Sequence, residues 1–226
     1  MIISNKLHRG TSIAAAVVLL LTLIFSTGVN AITVIQSLIR SGSPTGSYLS
    51  SLAFTAILTL LPIIALFRGK KDVVAAVFFL ITAAIILFRS VLGNITSIIS
   101  YIKILFDSYL STEVAIFGIL SGLIYLVANL INMAFRGLLA LECLTPGKIS
   151  GSKMKALLLV LPIANIALVA LGSIARQLFM IEYGFGDFFL SVLVPAVLSA
   201  VLSVGIILLG LAFSIPVCEK SQEVAG

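Results

Sequence analysis

Apolar residues in this chain come in long uncharged runs separated by short polar turns. Positions 10–39, 41–67, 114–135, 156–175 and 188–218 contain no Asp, Glu, Lys or Arg, and 73–92 is interrupted only by Arg89. Each run meets the roughly 18 to 20 residues with which a helix crosses about 30 Å of hydrocarbon. The pattern predicts six membrane-spanning helices, over 13–39, 49–67, 73–92, 114–141, 156–181 and 188–216. Between the third and fourth lies a segment of another kind. Ile95, Ile98, Ile99, Ile102, Phe106 and Tyr109 share one helical face, and Thr96, Ser100, Lys103, Asp107 and Ser111 share another. That division predicts an amphipathic helix over 95–110, lying in the membrane interface. The expected fold is all-α: a polytopic six-helix bundle with one interfacial helix, in one integral membrane domain over 1–226.

The first run also has features of a signal peptide. Lys6, His8 and Arg9 precede it, and Val29-Asn30-Ala31 has the small-residue form of a cleavage site. Apolar character nevertheless continues through Ile39, well past the roughly 7 to 15 residues of a signal core. It is read as an uncleaved span. Leu60-Leu61-Pro62-Ile63 and Val160-Leu161-Pro162-Ile163 resemble each other, but both prolines fall near the same predicted membrane face. An inverted transporter repeat would not place them so.

Composition agrees with the pattern. Of 226 residues, 61% are hydrophobic and 10% charged, against a soluble norm near half and about a quarter. The net charge of +6 sits in short loops rather than on a groove-fitting helix, so nucleic acid is not an expected partner. With the N-terminus inside, the inner segments hold nine Lys and Arg, and the outer ones hold only Arg40 and Lys103. The positive-inside rule then predicts that both termini are cytoplasmic. Tyr48, Tyr101, Tyr109 and Tyr183 all fall at the predicted outer boundary, where an aromatic belt belongs. A bacterial plasma membrane is the expected location. Cys143 and Cys218 are expected to be inert thiols at the inner face.

The candidate chemistry lies in the fourth span. Gly118, Gly122, Tyr125, Asn129, Asn132 and Arg136 recur at spacings of three or four and so share one helical face. An asparagine in hydrocarbon needs a partner, so this face is expected to look into the bundle or a wet cavity. Tyr125, Asn129, Asn132, Arg89, Asn30 and Asn165 are the candidate contacts for a polar or anionic solute. The competing reading makes the asparagines hydrogen bonds between helices, with Asn30 or Asn165 as partners, and Gly118 and Gly122 a close-packing face. Arg136 and Arg176 lie near span ends and are expected to reach headgroups. Arg89 lies deeper and is expected to pair with Glu113, Glu182 or Asp187.

What is missing narrows the function. No Asp or Glu falls within a predicted span, and His8 is the only histidine. Proton relays, intramembrane carboxylate pairs and HExxH metal sites cannot be assembled from these residues. No Walker A, GxSxG, GxGxxG or Cys/His metal spacing occurs either. No catalytic, cofactor or metal-binding residues are expected, and no enzyme of familiar type. Asn94-Ile95-Thr96 matches a glycosylation acceptor but sits against the membrane, and is treated as chance. The expected function is transporter-like, or that of a transporter's membrane subunit. The rival is a scaffold whose basic inner loops, the 142–155 segment above all, dock a cytoplasmic partner or anionic lipid.

Overall fold

The computed structural model describes residues 2–41, 46–68, 72–106, 112–150, 152–182 and 194–215. Every regular element among them is helical: α1 (Ile2–Ser41), α2 (Gly46–Arg68), α3 (Val73–Ile85), α4 (Leu92–Phe106), α5 (Thr112–Leu144), α6 (Leu157–Glu182) and α7 (Val194–Ser214). A π-turn, Ile86–Val91, joins α3 to α4 without a break, so the two form one rod. Local chemistry sets the starts. The Asp72 carboxylate accepts the Val74 N–H at 2.7 Å to cap α3, and Ser152 Oγ accepts the Met154 N–H at 3.1 Å to open the 3₁₀ turn before α6.

Among the described residues, His8–Gly28, Val73–Phe106, Ala115–Leu144 and Lys153–Ser173 are long and apolar enough to cross a membrane. Ala53–Arg68 and Val201–Ser214 are shorter apolar helices. Outward faces are greasy: Ile116, Leu120, Leu123, Val127 and Leu130 of α5 are all exposed. A face of that kind is stable against lipid and costly against water.

The helices form a closed ring. Contacts run α1 to α2, α2 to α3, the α3–α4 rod to α5, α5 to α6, α6 to α7 and α7 back to α1. Glycines mark the closest approaches. A methyl group built on Gly118 would lie 2.5 Å from the Tyr101 ring, and one on Gly122 would lie 2.7 Å from Ile98. Gly205 takes Leu19 of α1, and Gly210 meets the Leu158 carbonyl of α6. Small residues let helix backbones approach where lipid supplies no hydrophobic drive.

One end of the ring is densely packed. Ala15, Leu66, Ala76, Phe79, Phe135, Leu139, Cys143, Leu158, Leu209 and Phe213 form one buried cluster there, drawn from six helices. His8 Nδ1 and the Ala212 carbonyl, 2.8 Å apart, tie the start of α1 to the end of α7 at the same end. The sequence expectation put Glu142 in a loop, whereas α5 runs on through Leu144 and buries it fully. Its carboxylate accepts the N–H groups of Gly147, Ile149 and Ser150 at 3.0, 3.0 and 3.2 Å and the Ser150 hydroxyl at 2.6 Å. Those four donors fold the 145–150 turn over the helix end, with Gly147 supplying the positive φ of 84° that the turn needs.

The helix predicted over 95–110 is present as α4 as far as Phe106, with 107–110 outside the described residues. It is not the separate interfacial helix expected after a span ending at 92; it continues α3 in one apolar rod over Val73–Phe106 and packs on α5 through Ile98 and Tyr101. Its hydroxyls are satisfied within the helix. Thr96, Ser97 and Ser100 donate to the carbonyls of Leu92, Gly93 and Thr96 at 2.9, 3.0 and 3.0 Å. A sector that looks polar in sequence is therefore self-satisfied in space.

Candidate functional site

Two contacts fix which way the α5 stripe faces. Gly118 and Gly122 meet α4, while Ile124 and Tyr125 meet Gly172 of α6. At 100° per residue, Tyr125 and Asn132 point between those two directions, while Asn129 and Arg136 point toward the α3–α4 rod, Arg136 on the bearing of Gly118; all four lie opposite the exposed face of Leu120, Leu123 and Val127. In a ring, the direction between a helix's two neighbours is inward. Tyr125, Asn129 and Asn132 are half-buried.

The sequence-predicted residues separate into groups. Tyr125 Oη and Ser173 Oγ lie 3.0 Å apart, a link between α5 and α6 in which Ser173 was not foreseen. Asn129 donates from Nδ2 to the Tyr125 carbonyl at 2.9 Å, so its bond stays within α5 instead of joining helices. Asn132 Oδ1 is enclosed and has no partner. Asn165 of α6 is buried and lies seven residues before Gly172, on the same face. The antiparallel register set by Tyr125 and Ser173 brings it level with Asn132. The side chain of Asn30 lies outside the described residues, as does that of Arg176.

Arg89 stands apart. It donates from Nη1 to the Ser50 carbonyl at 3.2 Å, and its guanidinium carbon lies 4.1 Å from the centroid of the Phe54 ring. Both partners are on α2, on the far side of the α3–α4 rod from the stripe. A shallow apolar groove of about 460 Å³, lined by Phe54, Ile81, Ala84, Ile85 and Phe88, runs beside it. Ion pairing was expected, yet Arg89 is held by a carbonyl and a ring face. Glu113 is too far along α5 to serve, and the side chains of Glu182 and Asp187 lie outside the described residues. The π-turn that carries Arg89 is the kind of local widening found at functional positions.

Arg136 departs most from expectation. It was expected to snorkel to the headgroups, but it is 5% exposed, and its Nε and Nη1 are enclosed without hydrogen-bond partners. The reason is directional. Side chains lean toward the N-terminus of their helix, so an arginine near the C-terminal end of α5 leans back toward the middle of the rod. The packed cluster of Leu139, Cys143 and Phe213 then bars the way to that end.

Asn94 adds a further orphan, its Nδ2 being enclosed and unpaired. It sits one turn before Ile98 on the α4 face that meets α5. By contrast, the buried hydroxyls of Thr22, Thr59 and Thr82 each donate to a carbonyl of their own helix, at 2.9, 2.8 and 2.8 Å. The enclosed, unpaired side-chain atoms among the described residues are thus three donors, on Asn94 and Arg136, and one acceptor, on Asn132. No cluster of three or more His, Cys, Asp or Glu that could hold a metal occurs among the described residues. Compared with known proteins, the chain matches no family model, no curated sequence and no solved structure.

Proposed function

We propose that this chain is a small multi-pass membrane protein of the transport type, or the membrane subunit of a transporter, holding a polar solute inside the helix ring. Tyr125, Asn129, Asn132 and Asn165 form the contact surface, and Arg89, which faces α2, is outside it. The observation that carries the reading is the enclosed, unpaired Oδ1 of Asn132 on an inward face. Buried polar groups in proteins are almost always satisfied, and an orphan on an interior wall is the mark of a missing partner. Six crossings, with both termini in the cytosol of a bacterial cell, belong to the same proposal and rest on the distribution of Lys and Arg.

Single cysteines at positions 125, 129 and 132, in a background with Cys143 and Cys218 replaced by Ala, test it. Water-soluble thiol reagents should label them in intact vesicles, and an added solute should protect them. Complete protection in every condition defeats the transport reading. It would favour a scaffold whose exposed Lys148, Lys153 and Lys155 engage a cytoplasmic partner or anionic lipid.

A further inference from the structure

Two charged side chains are buried in the described part of the ring, and they differ in one respect. Glu142 has four donors from its own loop. At Arg136, by contrast, Nε and Nη1 are enclosed and unpaired. A guanidinium does not shed its charge inside a protein, so burial cannot be relieved by deprotonation. Burying an ion without a counter-charge is strongly unfavourable.

The described carboxylates do not supply that counter-charge. Glu113 is 23 residues earlier on α5, about 34 Å away along the axis. Asp72 caps α3 and pairs with Arg68 at 3.1 Å. Glu142 points from another side of α5 and is filled. The helix that it faces, α3, gives no acceptor at its level either. The register set by Tyr101 on Gly118 and Ile98 on Gly122 carries Arg136 to the level of Ala83 and Ala84, whose side chains have no polar atom. One turn above, Asn132 Oδ1 is the second enclosed orphan.

We propose that Arg136 anchors an anionic oxygen group, a carboxylate or phosphate, at the closed end of the ring interior. Asn132 Oδ1 accepts a hydrogen bond from a hydroxyl or ammonium on the same molecule. The proposal rests on the reading of the ring interior as a solute site and gives that solute its class: an anion that also carries a donor. Charge-assisted hydrogen bonds to a guanidinium are the strong ones, which suits a site with one cation and little else. The same oxyanion chemistry is available from a dissolved solute and from a lipid headgroup.

The experiment is a thermal-unfolding titration of the full chain in nanodiscs. In phosphatidylcholine discs, inorganic phosphate or acetate is added. In discs containing phosphatidylglycerol, neither is added. The melting temperature of the unaltered protein should rise with one of these, as it does whenever a ligand binds the folded state alone. Half-saturation should weaken by about tenfold or more in R136Q and less in R136K, which keeps the charge. N132L, which leaves the arginine in place, should weaken a donor-bearing anion such as glycerol phosphate more than it weakens acetate. A rise confined to phosphatidylglycerol and lost in R136Q assigns the site to a lipid headgroup. An unchanged response in R136Q, or no response of the unaltered protein to either anion source, overturns the proposal. The labelling experiment separates this from the solute reading. Protected cysteines with an Arg136-dependent lipid response sink the cavity and leave the anion site. Reactive cysteines with no anion response do the reverse.

Discussion

Phe79 and Phe213 meet edge to face, with ring centroids 5.4 Å apart and planes at 85°. They belong to α3 and α7, which stand opposite each other in the ring and are not neighbours in it. Their contact therefore crosses the interior and seals one end, just beyond Arg136. Both rings are fully buried, and Phe135, Leu139 and Leu209 pack in the same cluster.

The first prediction concerns that seal. F79A and F213A should each lower the melting temperature in detergent. A double-mutant cycle should return about 0.5–1.5 kcal/mol of coupling, the range for an edge-to-face aromatic pair. Additive effects would mean that the rings do not meet. Either single change should also speed labelling of a cysteine at 132, because the plug is opened.

Glycine substitutions should divide sharply by position. G118V and G122V put a branched side chain into the space now filled by Tyr101 and Ile98, and should destabilise by about 1–3 kcal/mol, the usual cost of overpacking. At Gly137 an added methyl meets nothing within 4 Å, so G137A should leave the melting temperature unchanged or slightly raised. Equal effects at all three would show that α4 does not pack on α5 here.

Glu142 should behave as a structural clamp. E142Q keeps the shape but removes the charge and turns one oxygen into a donor facing donors. Losing charge-assisted bonds should cost about 1.5–3 kcal/mol and expose the 145–150 turn. Trypsin cleavage after Lys148, followed by mass spectrometry, should accelerate in E142Q and more so in E142A. Solute or anion binding should be unaffected if the turn survives.

The two arginines give a paired test. R89L removes the Ser50 hydrogen bond and the Phe54 contact and should cost about 1 kcal/mol of stability, in line with an exposed cation–π pair. Anion affinity should not change, because Arg89 faces α2. The opposite pattern, with R89L abolishing anion binding, would move the site to the outer groove.

Much of this fold can be read from the residues alone. The lengths of the uncharged runs fix helices because lipid leaves the backbone no other way to satisfy its N–H and C=O groups. The stripe from Gly118 to Arg136 was visible because helical periodicity places spaced residues on one face whatever surrounds them. The candidate site was harder to read. Asn129 spends its amide on its own helix, Ser173 gave no signal beyond being one serine in an apolar run, and Arg89 turned the other way.

The sequence by itself determined that the chain is helical and membrane-like, where its rods run, and that α5 carries a polar face. All of these depend on local spacing and on transfer from water, which act residue by residue. Only the tertiary structure decided that the rods close into a ring, that α4 continues α3, that Glu142 is clamped and that Arg136 stays inside. Those outcomes depend on which surfaces meet. A glycine admits a tyrosine only when another helix brings the tyrosine to it, and an arginine near a helix end snorkels only if no neighbour fills its exit.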